Sequence, residues 1–405
     1  MRIRTHLAAA AALLALAVRI TPAVAQERVF LRPEPGTPVV AVQVLVGVGP
    51  VDEAPAQAGI SYLAARSVVE PVRGTLDSLG AHLDVDQQKD AIAFTLTAAP
   101  DNWAEASRVL MLSLFRDPVD STATVRQRAA IVRELAAREA SPADALERER
   151  AKAVYGADHP WGRPAVGTAT SVRAIRVSQV DAYLRRNFTP ERSVVAVVGP
   201  IDEGEARDAL AGHMPAGELV TDTVPPPAPA DAPVEAEYNA ITTWVSATWR
   251  FGPESDVEAL RMLAQLALDR VSFGPSRRSV YNSRAEVVRY AAGGELRLTL
   301  VVPPGEAEQW ATQLREAVNG YANEALPAAV FQERLRRFRG ERLLQLDLPE
   351  QRAAAMARSA LLGDRGATLV DFTRLNPERL QAAARELERP IVVFLGPARS
   401  QGDGG

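Results

Sequence analysis

The chain has 405 residues, of which 47% are hydrophobic and 24% charged, as is ordinary for a globular protein of more than one domain. Its formal net charge of −4 provides no basic surface of the kind that binds nucleic acid, so nucleic acid is excluded as an expected partner. The sequence contains no cysteine, so burial of a core has to provide the stability that disulfides provide in many exported proteins.

The first 25 residues have the pattern of a secretory signal peptide. Arg2 and Arg4 give a charged start, an apolar run covers residues 7–18, and Ala23-Val24-Ala25 has the small-residue form of a cleavage site. The run is shorter than the roughly 20 apolar residues that a membrane-spanning helix needs. We therefore expect an exported protein, periplasmic or extracellular, with no membrane anchor after cleavage.

The same order of elements occurs twice in the chain. One apolar strand ends at Gly49-Pro50 and another at Gly252-Pro253, 203 residues later, and acidic residues and a helix follow each of them. Each repeat also closes with an apolar strand and a Gly-Pro pair, over residues 193–200 and 391–397. Strands and helices are mixed without strict alternation, which predicts an α+β fold with helices covering one face of each sheet. The repetition predicts two tandem duplicated domains of about 200 residues each.

A proline-rich segment separates the two repeats. Residues 224–233 contain five prolines, and proline at this density favours an extended, semi-rigid spacer. The predicted organisation is therefore a signal peptide over residues 1–25, a first domain over 26–220, a linker over 221–236, a second domain over 237–400 and a disordered tail over 401–405.

The residue types alone predict no catalytic site. The four histidines are widely separated, and without cysteine they form no local pair of metal ligands. They are His6, His82, His159 and His213. No serine lies in a G-x-S-x-G motif, and no glycine-rich loop is followed by the lysine of a phosphate-binding loop. Glu147 and Glu149 alternate with arginines on a predicted helix, a pattern typical of a solvated face.

Several segments resemble the pitrilysin/insulinase family of zinc metallopeptidases, which includes the mitochondrial processing peptidase subunits. The most specific similarity is the succession of Tyr155-Gly156, His159-Pro160-Trp161-Gly162 and Gly167-Thr168, which follows the family's Y-G, H-P and G-T segment. Gly59-Ile60-Ser61 is similar to the glycine-led start of the family's active-site helix. The resemblance covers nearly the whole mature chain, and it implies tandem α+β domains that form half of a clamshell chamber around a peptide.

The family's inverted zinc motif, H-x-x-E-H, corresponds by this resemblance to residues 62–66. The two ligand positions hold Tyr62 and Arg66, and the position of the catalytic base holds Ala65, so the zinc-binding side chains are missing. The family's third ligand corresponds to Glu134. We hypothesise that Arg66 occupies the vacant metal position and pairs with Glu134, because a buried carboxylate without a counter-charge is costly. The alternative is that the residues of the degenerate motif simply pack.

The resemblance also implies two substrate-binding residues in the second domain. Active bacterial relatives hold the substrate with an arginine and a tyrosine, and the corresponding residues here are Arg277 and Tyr290. If they do not bind peptide, they are surface or interface residues.

The function implied by the resemblance is that of a catalytically inactive subunit of an exported metallopeptidase. It would form a heterodimer with an active zinc-bearing subunit of the same family and help to bind a peptide or unfolded polypeptide. We expect no cofactor in this chain and zinc only in the partner. The alternative is a stand-alone homodimeric, peptide-binding or chaperone-like clamshell without proteolysis. An unorthodox hydrolase is the third hypothesis, and the sequence favours a protein that is not itself an enzyme.

Overall fold

The computed structural model describes residues 28–215, 217, 219–220, 224, 232–272, 280–364 and 369–398. The predicted signal peptide, the predicted tail, most of the predicted linker and Arg277 lie outside the described residues. In the part of the chain that is described, no helix is both long enough and apolar enough to cross a membrane.

The first half of the chain forms a five-stranded sheet with helices. Its elements are β1 (Val29–Pro33), β2 (Val40–Val46), α1 (Ile60–Val69), α2 (Arg73–Ser78), β3 (His82–Gln87), β4 (Ile92–Ala98), α3 (Trp103–Phe115), α4 (Ser121–Arg138), α5 (Pro142–Tyr155), α6 (Ala169–Ala174), α7 (Val177–Asn187), β5 (Ser193–Gly199) and α8 (Glu203–Ala211). The strand order is β1-β5-β2-β4-β3, in which β1 runs parallel to β5 and the other neighbours are antiparallel.

The second half repeats this arrangement. Its elements are β6 (Val234–Glu237), β7 (Thr243–Phe251), α9 (Val257–Ser272), β8 (Asn282–Tyr290), β9 (Gly293–Val302), α10 (Ala307–Asn323), α11 (Ala328–Leu344), α12 (Pro349–Leu361), α13 (Pro377–Glu386) and β10 (Ile391–Gly396). The strand order β6-β10-β7-β9-β8 has the same single parallel pair at its edge, between β6 and β10. The predicted α+β fold with two similar halves is confirmed.

Each half has its own hydrophobic core on one face of its sheet. In the first half, buried side chains of α1, α3 and α7 pack against β2 and β4. In the second half, α9, α10 and α13 pack against β7 and β9 in the same way. Strands β2 and β10 are buried along their whole length, and β7 is buried at every position except Trp244, which requires that the other face of each sheet is also covered.

That other face is covered by a helix from the opposite half, which the sequence analysis did not predict. Helix α12 of the second half packs on β2 and β5 of the first, through small residues that include Ala353 and Ala357. Helix α5 of the first half packs on β10 of the second, through residues that include Val154 and Tyr155. The two halves therefore exchange one helix each, and each sheet has helices on both faces.

Small residues on α12 let this helix approach the first sheet closely. Ala357 is 0% exposed, and we expect Ala357→Leu to lower the free energy of unfolding by about 1–3 kcal/mol, because the added carbons have no space. Urea denaturation measures the change. The matched control is Ala354→Leu on the same helix, whose side chain faces the cavity described below. An equal decrease in the free energy of unfolding in the two variants would contradict the close packing of Ala357 on the first sheet.

Candidate functional site

Helix α1 begins at a glycine that the local packing requires. Gly59 has φ +90°, and a Cβ at this position would lie 2.6 Å from the carbonyl oxygen of Val166. The backbone N–H groups of Gly59 and Ser61 donate to the carboxylate of Glu53, over 2.8 and 3.0 Å. Burial raises the pKa of Glu53, while these hydrogen bonds oppose the increase. These contacts fix the first turn of the helix that carries the degenerate motif.

The structure brings Arg66 of α1 and Glu134 of α4 together in a bidentate ion pair. Arg66 Nη1 and Nη2 donate to the two carboxylate oxygens of Glu134, each over 3.2 Å. Arg66 Nη1 also donates to the hydroxyl of Tyr62 over 2.9 Å, and Arg66 Nε donates to Gln127 Oε1 over 3.0 Å. Ala65 is 0% exposed and packs in the core of the first half. The hypothesised Arg66–Glu134 pair is therefore present.

The guanidinium of Arg66 is held as a fixed cation. Burial lowers its pKa, but the hydrogen bonds to Glu134 and Tyr62 outweigh this effect, so the pKa of Arg66 lies above its ordinary value. Arginine offers only hydrogen-bond donors and cannot ligate a metal. Tyr62 and Ala65 supply no imidazole or carboxylate either, so the residues present do not fit the zinc ion of the related peptidases. In the described ranges, no group of three or more His, Cys, Asp or Glu residues is placed to hold a metal.

A large cavity lies between the two halves. Its volume is about 1810 Å³, and both halves line it. The last turn of α4 contributes Leu135 and Arg138 to the wall, whereas Tyr62, Arg66 and Glu134 are not among its lining residues in the described part of the chain. Among the described residues, the degenerate motif and Glu134 therefore do not form the surface of the cavity, whereas Leu135, which follows Glu134 in the chain, does.

Tyr290 lies in the cavity wall but is almost completely buried. It is 3% exposed, its ring centroid lies 5.0 Å from that of Trp161, and its hydroxyl accepts a hydrogen bond from Arg297 Nη2 over 2.9 Å. Trp161 belongs to the His-Pro-Trp-Gly segment, in which His159 Nδ1 accepts from the backbone N–H of Trp161 over 3.1 Å. This geometry gives Tyr290 a packing role between the halves, and a peptide contact through Tyr290 stays a prediction.

The sequence analysis missed a buried charge cluster centred on Glu295 of β9. Glu295 is 0% exposed and accepts hydrogen bonds from Arg150 and Tyr155 of α5, and from Arg297 Nε over 2.6 Å. Lys89 Nζ, from the turn between β3 and β4, lies 3.3 Å from Glu295 Oε1. Three of these four donors belong to the first half and Glu295 belongs to the second, so the cluster joins the halves.

The cluster corrects the interpretation of the α5 arginines as part of a solvated face. Glu149 forms an ion pair with Lys152 over 2.8 Å at the surface, as that pattern predicts. Arg150, however, is 2% exposed and donates through Nε to Glu147 over 2.9 Å while it also binds Glu295. The signal that could have revealed this was the Glu-Leu-Arg sequence of β9, because residues two apart on a strand share a face.

Charge and burial shift the pKa values of the cluster in opposite directions. Burial alone would raise the pKa of Glu295, but Arg150, Arg297 and Lys89 outweigh it and hold that pKa well below its usual range. Burial lowers the pKa of Lys89 to about 8, and the attraction of Glu295 only partly compensates. Lys89 is therefore the group of the cluster whose proton is least firmly held.

We expect a double-mutant cycle to give Arg66 and Glu134 a coupling free energy of about 1 kcal/mol. The estimate is modest because Glu134 is 42% exposed and solvent screens the pair. The single variants Arg66→Met and Glu134→Gln and the double variant would be compared by urea denaturation. The exposed Glu105–Arg108 pair serves as the control and should couple more weakly. Coupling no larger than that of the control would contradict a specific pair.

The lowered pKa of Lys89 should make the free energy of unfolding depend on pH. Below pH 8 both the folded and the unfolded chain carry its proton, whereas between pH 8 and 10.5 only the unfolded chain keeps it. The unfolded state then binds more protons, so stability rises with pH in this window. Relative to Lys89→Met, we expect the unfolding free energy of the unaltered chain to rise by roughly 3 kcal/mol at most. Urea denaturation at pH 7.5 and 10.5 measures this, and a relative decrease would contradict the assignment.

The comparisons with known proteins agree with this architecture. No family model matches the chain. Over 201 residues the chain is 32% identical to an uncharacterized zinc protease of Mycobacterium leprae, a match that covers 46% of this chain and 44% of that protein. Over 147 residues it is 22% identical to mitochondrial-processing peptidase subunit beta of Saccharomyces cerevisiae, covering 35% of this chain and 31% of that protein. The matches therefore span less than half the length of these curated relatives.

The structural similarity extends over most of the chain. A peptidase M16 inactive domain from Pseudomonas fluorescens superposes with a TM-score of 0.80, and the match covers 93% of this chain and 98% of that one. Its sequence identity is 16%, so this similarity establishes the fold. Together with the sequence relatives named as zinc proteases and as a processing peptidase subunit, it confirms the resemblance drawn from the motifs: the chain is similar in fold to an M16 peptidase domain and similar, over part of its sequence, to proteins of the pitrilysin-like kind.

Proposed function

We propose that this chain is the catalytically inactive subunit of an exported M16-type peptidase and that it pairs with an active, zinc-bearing subunit of the same family. The observation that carries the proposal is the bidentate contact between Arg66 and Glu134. The guanidinium of Arg66 is a permanent cation at a position where the resemblance places a zinc ligand. It repels a metal ion and at the same time pairs with the carboxylate of Glu134. The chain keeps the family fold without the side chains for the family's chemistry.

The cavity between the halves supports a role in holding the substrate. Its volume of about 1810 Å³ exceeds that of a typical small-molecule pocket, and its walls carry both charged and apolar side chains. An extended or unfolded polypeptide is a ligand of suitable size and mixed chemistry. Tyr290 and Arg277 are the proposed contacts to this polypeptide, of which Tyr290 lies in the wall and Arg277 lies outside the described residues.

Pairing with an active subunit is supported by the absence of the zinc-binding side chains and the catalytic base from positions 62, 65 and 66 of this chain. The relative from Saccharomyces cerevisiae is named as a subunit, and the similar domain from Pseudomonas fluorescens is named as inactive. We propose that zinc is bound by the partner alone. The proposed export, to the periplasm or the extracellular space, rests on the signal-like pattern of residues 1–25.

The test is co-expression of the mature chain with H-x-x-E-H-bearing M16 proteins of the same genome. We expect one of them to co-purify, to carry the zinc, and to cleave a fluorogenic peptide library about 100-fold more slowly without this chain, the loss that misplacement of a substrate can cause. Zinc content and cleavage rates are measured on each protein alone and on the complex. Absence of co-purification together with unchanged partner activity would reject the subunit function.

A variant that narrows the cavity separates substrate binding from pairing. Ala354→Trp places a large side chain in the cavity wall, so the complex should form but bind and cleave peptides more weakly. The matched control is Ala329→Trp, at an exposed position of α11 outside the cavity lining. Homodimers that bind peptides in the cavity without any partner would favour the stand-alone clamshell instead. Zinc bound by this chain alone would contradict the central claim.

A further inference from the structure

Lys89 has surroundings that the proposed function does not use. It is one of only two lysines in the sequence, it lines the cavity, and it is 9% exposed. Its Nζ lies 3.3 Å from Glu295 Oε1, 4.2 Å from the ring centroid of Tyr155 and 5.7 Å from that of Tyr290. The amine is therefore placed at the boundary between the buried charge cluster and the cavity.

The charge balance of the cluster singles out this amine. Over the described residues, the cluster contains three cations and two carboxylates, so it has one positive charge in excess. The cations are Lys89, Arg150 and Arg297, and the carboxylates are Glu147 and Glu295. Arginine does not release its proton in proteins, and burial raises the pKa of the Tyr155 and Tyr290 hydroxyls, so the excess proton leaves from the lysine.

The neighbouring elements present the following groups to Lys89. Helix α5 presents Glu147, Arg150 and Tyr155, strand β9 presents Glu295 and Arg297, and strand β8 presents Tyr290. The adjacent Asp90 is paired with Arg358 of α12 over 2.7 Å. A lysine that is desolvated and lies beside other cations is the arrangement that makes a lysine amine nucleophilic. In agreement with this, burial lowers the pKa of Lys89 to about 8.

We propose that Lys89 is a covalent binding site, at which the cavity captures an aldehyde-bearing ligand as an imine. The ammonium first gives its proton to solvent in the cavity. The lone pair of the neutral amine then attacks the carbonyl carbon to form a carbinolamine. The carbinolamine takes up one proton from solvent and loses one water, which leaves a protonated C=N bond. One water is released for each ligand bound, and no oxidant or reductant takes part.

Glu295 is positioned to stabilise the product. A protonated imine carries the same single positive charge as the lysine that it replaces, so the carboxylate at 3.3 Å retains a cationic partner. The ring of Tyr290, which lines the cavity near Lys89, supplies apolar surface for the group attached to the carbonyl carbon. The ligand class is thus an aldehyde small enough to enter the cavity, whether it is free or carried on a peptide.

Reductive alkylation of the unaltered full chain tests the proposal. The chain is treated with propionaldehyde or with aldehyde-bearing dextran, each with cyanoborohydride, over pH 6 to 10, and both lysines are quantified by peptide mapping. Lys152 is the internal reference, because its side chain is 48% exposed and lies on the same helix as Arg150. We expect propionaldehyde to alkylate Lys89 at a rate that levels off above pH 8, and dextran to modify Lys152 but not Lys89.

Three results would overturn the proposal. The first is alkylation of Lys152 without alkylation of Lys89 at every pH. The second is a Lys89 rate that still increases up to pH 10, as for a free lysine with a pKa of about 10.4. The third is modification of Lys89 by the polymer, which would place the amine outside the cavity. Because the assay uses this chain alone, its outcome is independent of whether a partner subunit is found.

Discussion

A fully buried carboxylate, Glu295, determines how the two halves of the chain meet. Transfer of a carboxylate from water to a protein interior costs several kcal/mol, and attraction to counter-charges offsets that cost only where the geometry is good and the oxygens are saturated with donors. Arg150, Tyr155 and Lys89 supply donors from the first half, and Arg297 supplies one from the same strand. A small displacement of one half would leave the charge without partners, so the cluster selects one relative position.

The exchanged helices α5 and α12 carry charged residues to the contact between the two halves. Helix α5 brings Arg150 and Tyr155 to Glu295 and at the same time covers the open face of the second sheet. Helix α12 covers the open face of the first sheet and pairs its Arg358 with Asp90, the neighbour of Lys89. Because each sheet relies on the other half for one of its apolar covers, the halves form one folding unit, and the cavity lies between them.

Much of this architecture could be predicted from the sequence, because strands and turns leave local signals. The largely apolar runs that became β2 and β7 and the Gly-Pro pairs that follow them revealed the duplication, and the degenerate motif led to the Arg66–Glu134 pair. Helix exchange could not be predicted, since an apolar stripe shows that α12 is buried but not which sheet it covers. Glu295 was missed because the alternation Glu-Leu-Arg-Leu is also that of a strand with one solvated face.

Glu295 and Glu134 both need a positively charged partner, but the two carboxylates differ in how deeply they are buried. Glu295 is fully buried and is satisfied by several donors, so its role is structural and its loss would affect the whole fold. Glu134 is 42% exposed and needs only Arg66, so its pair adds little to stability. A contact that contributes little to the fold is free to change without unfolding the chain. Under the proposed function, the fixed guanidinium of Arg66 takes the position of a zinc ligand while the sheet, the helices and the cavity remain, and these are the parts that a non-catalytic subunit would need.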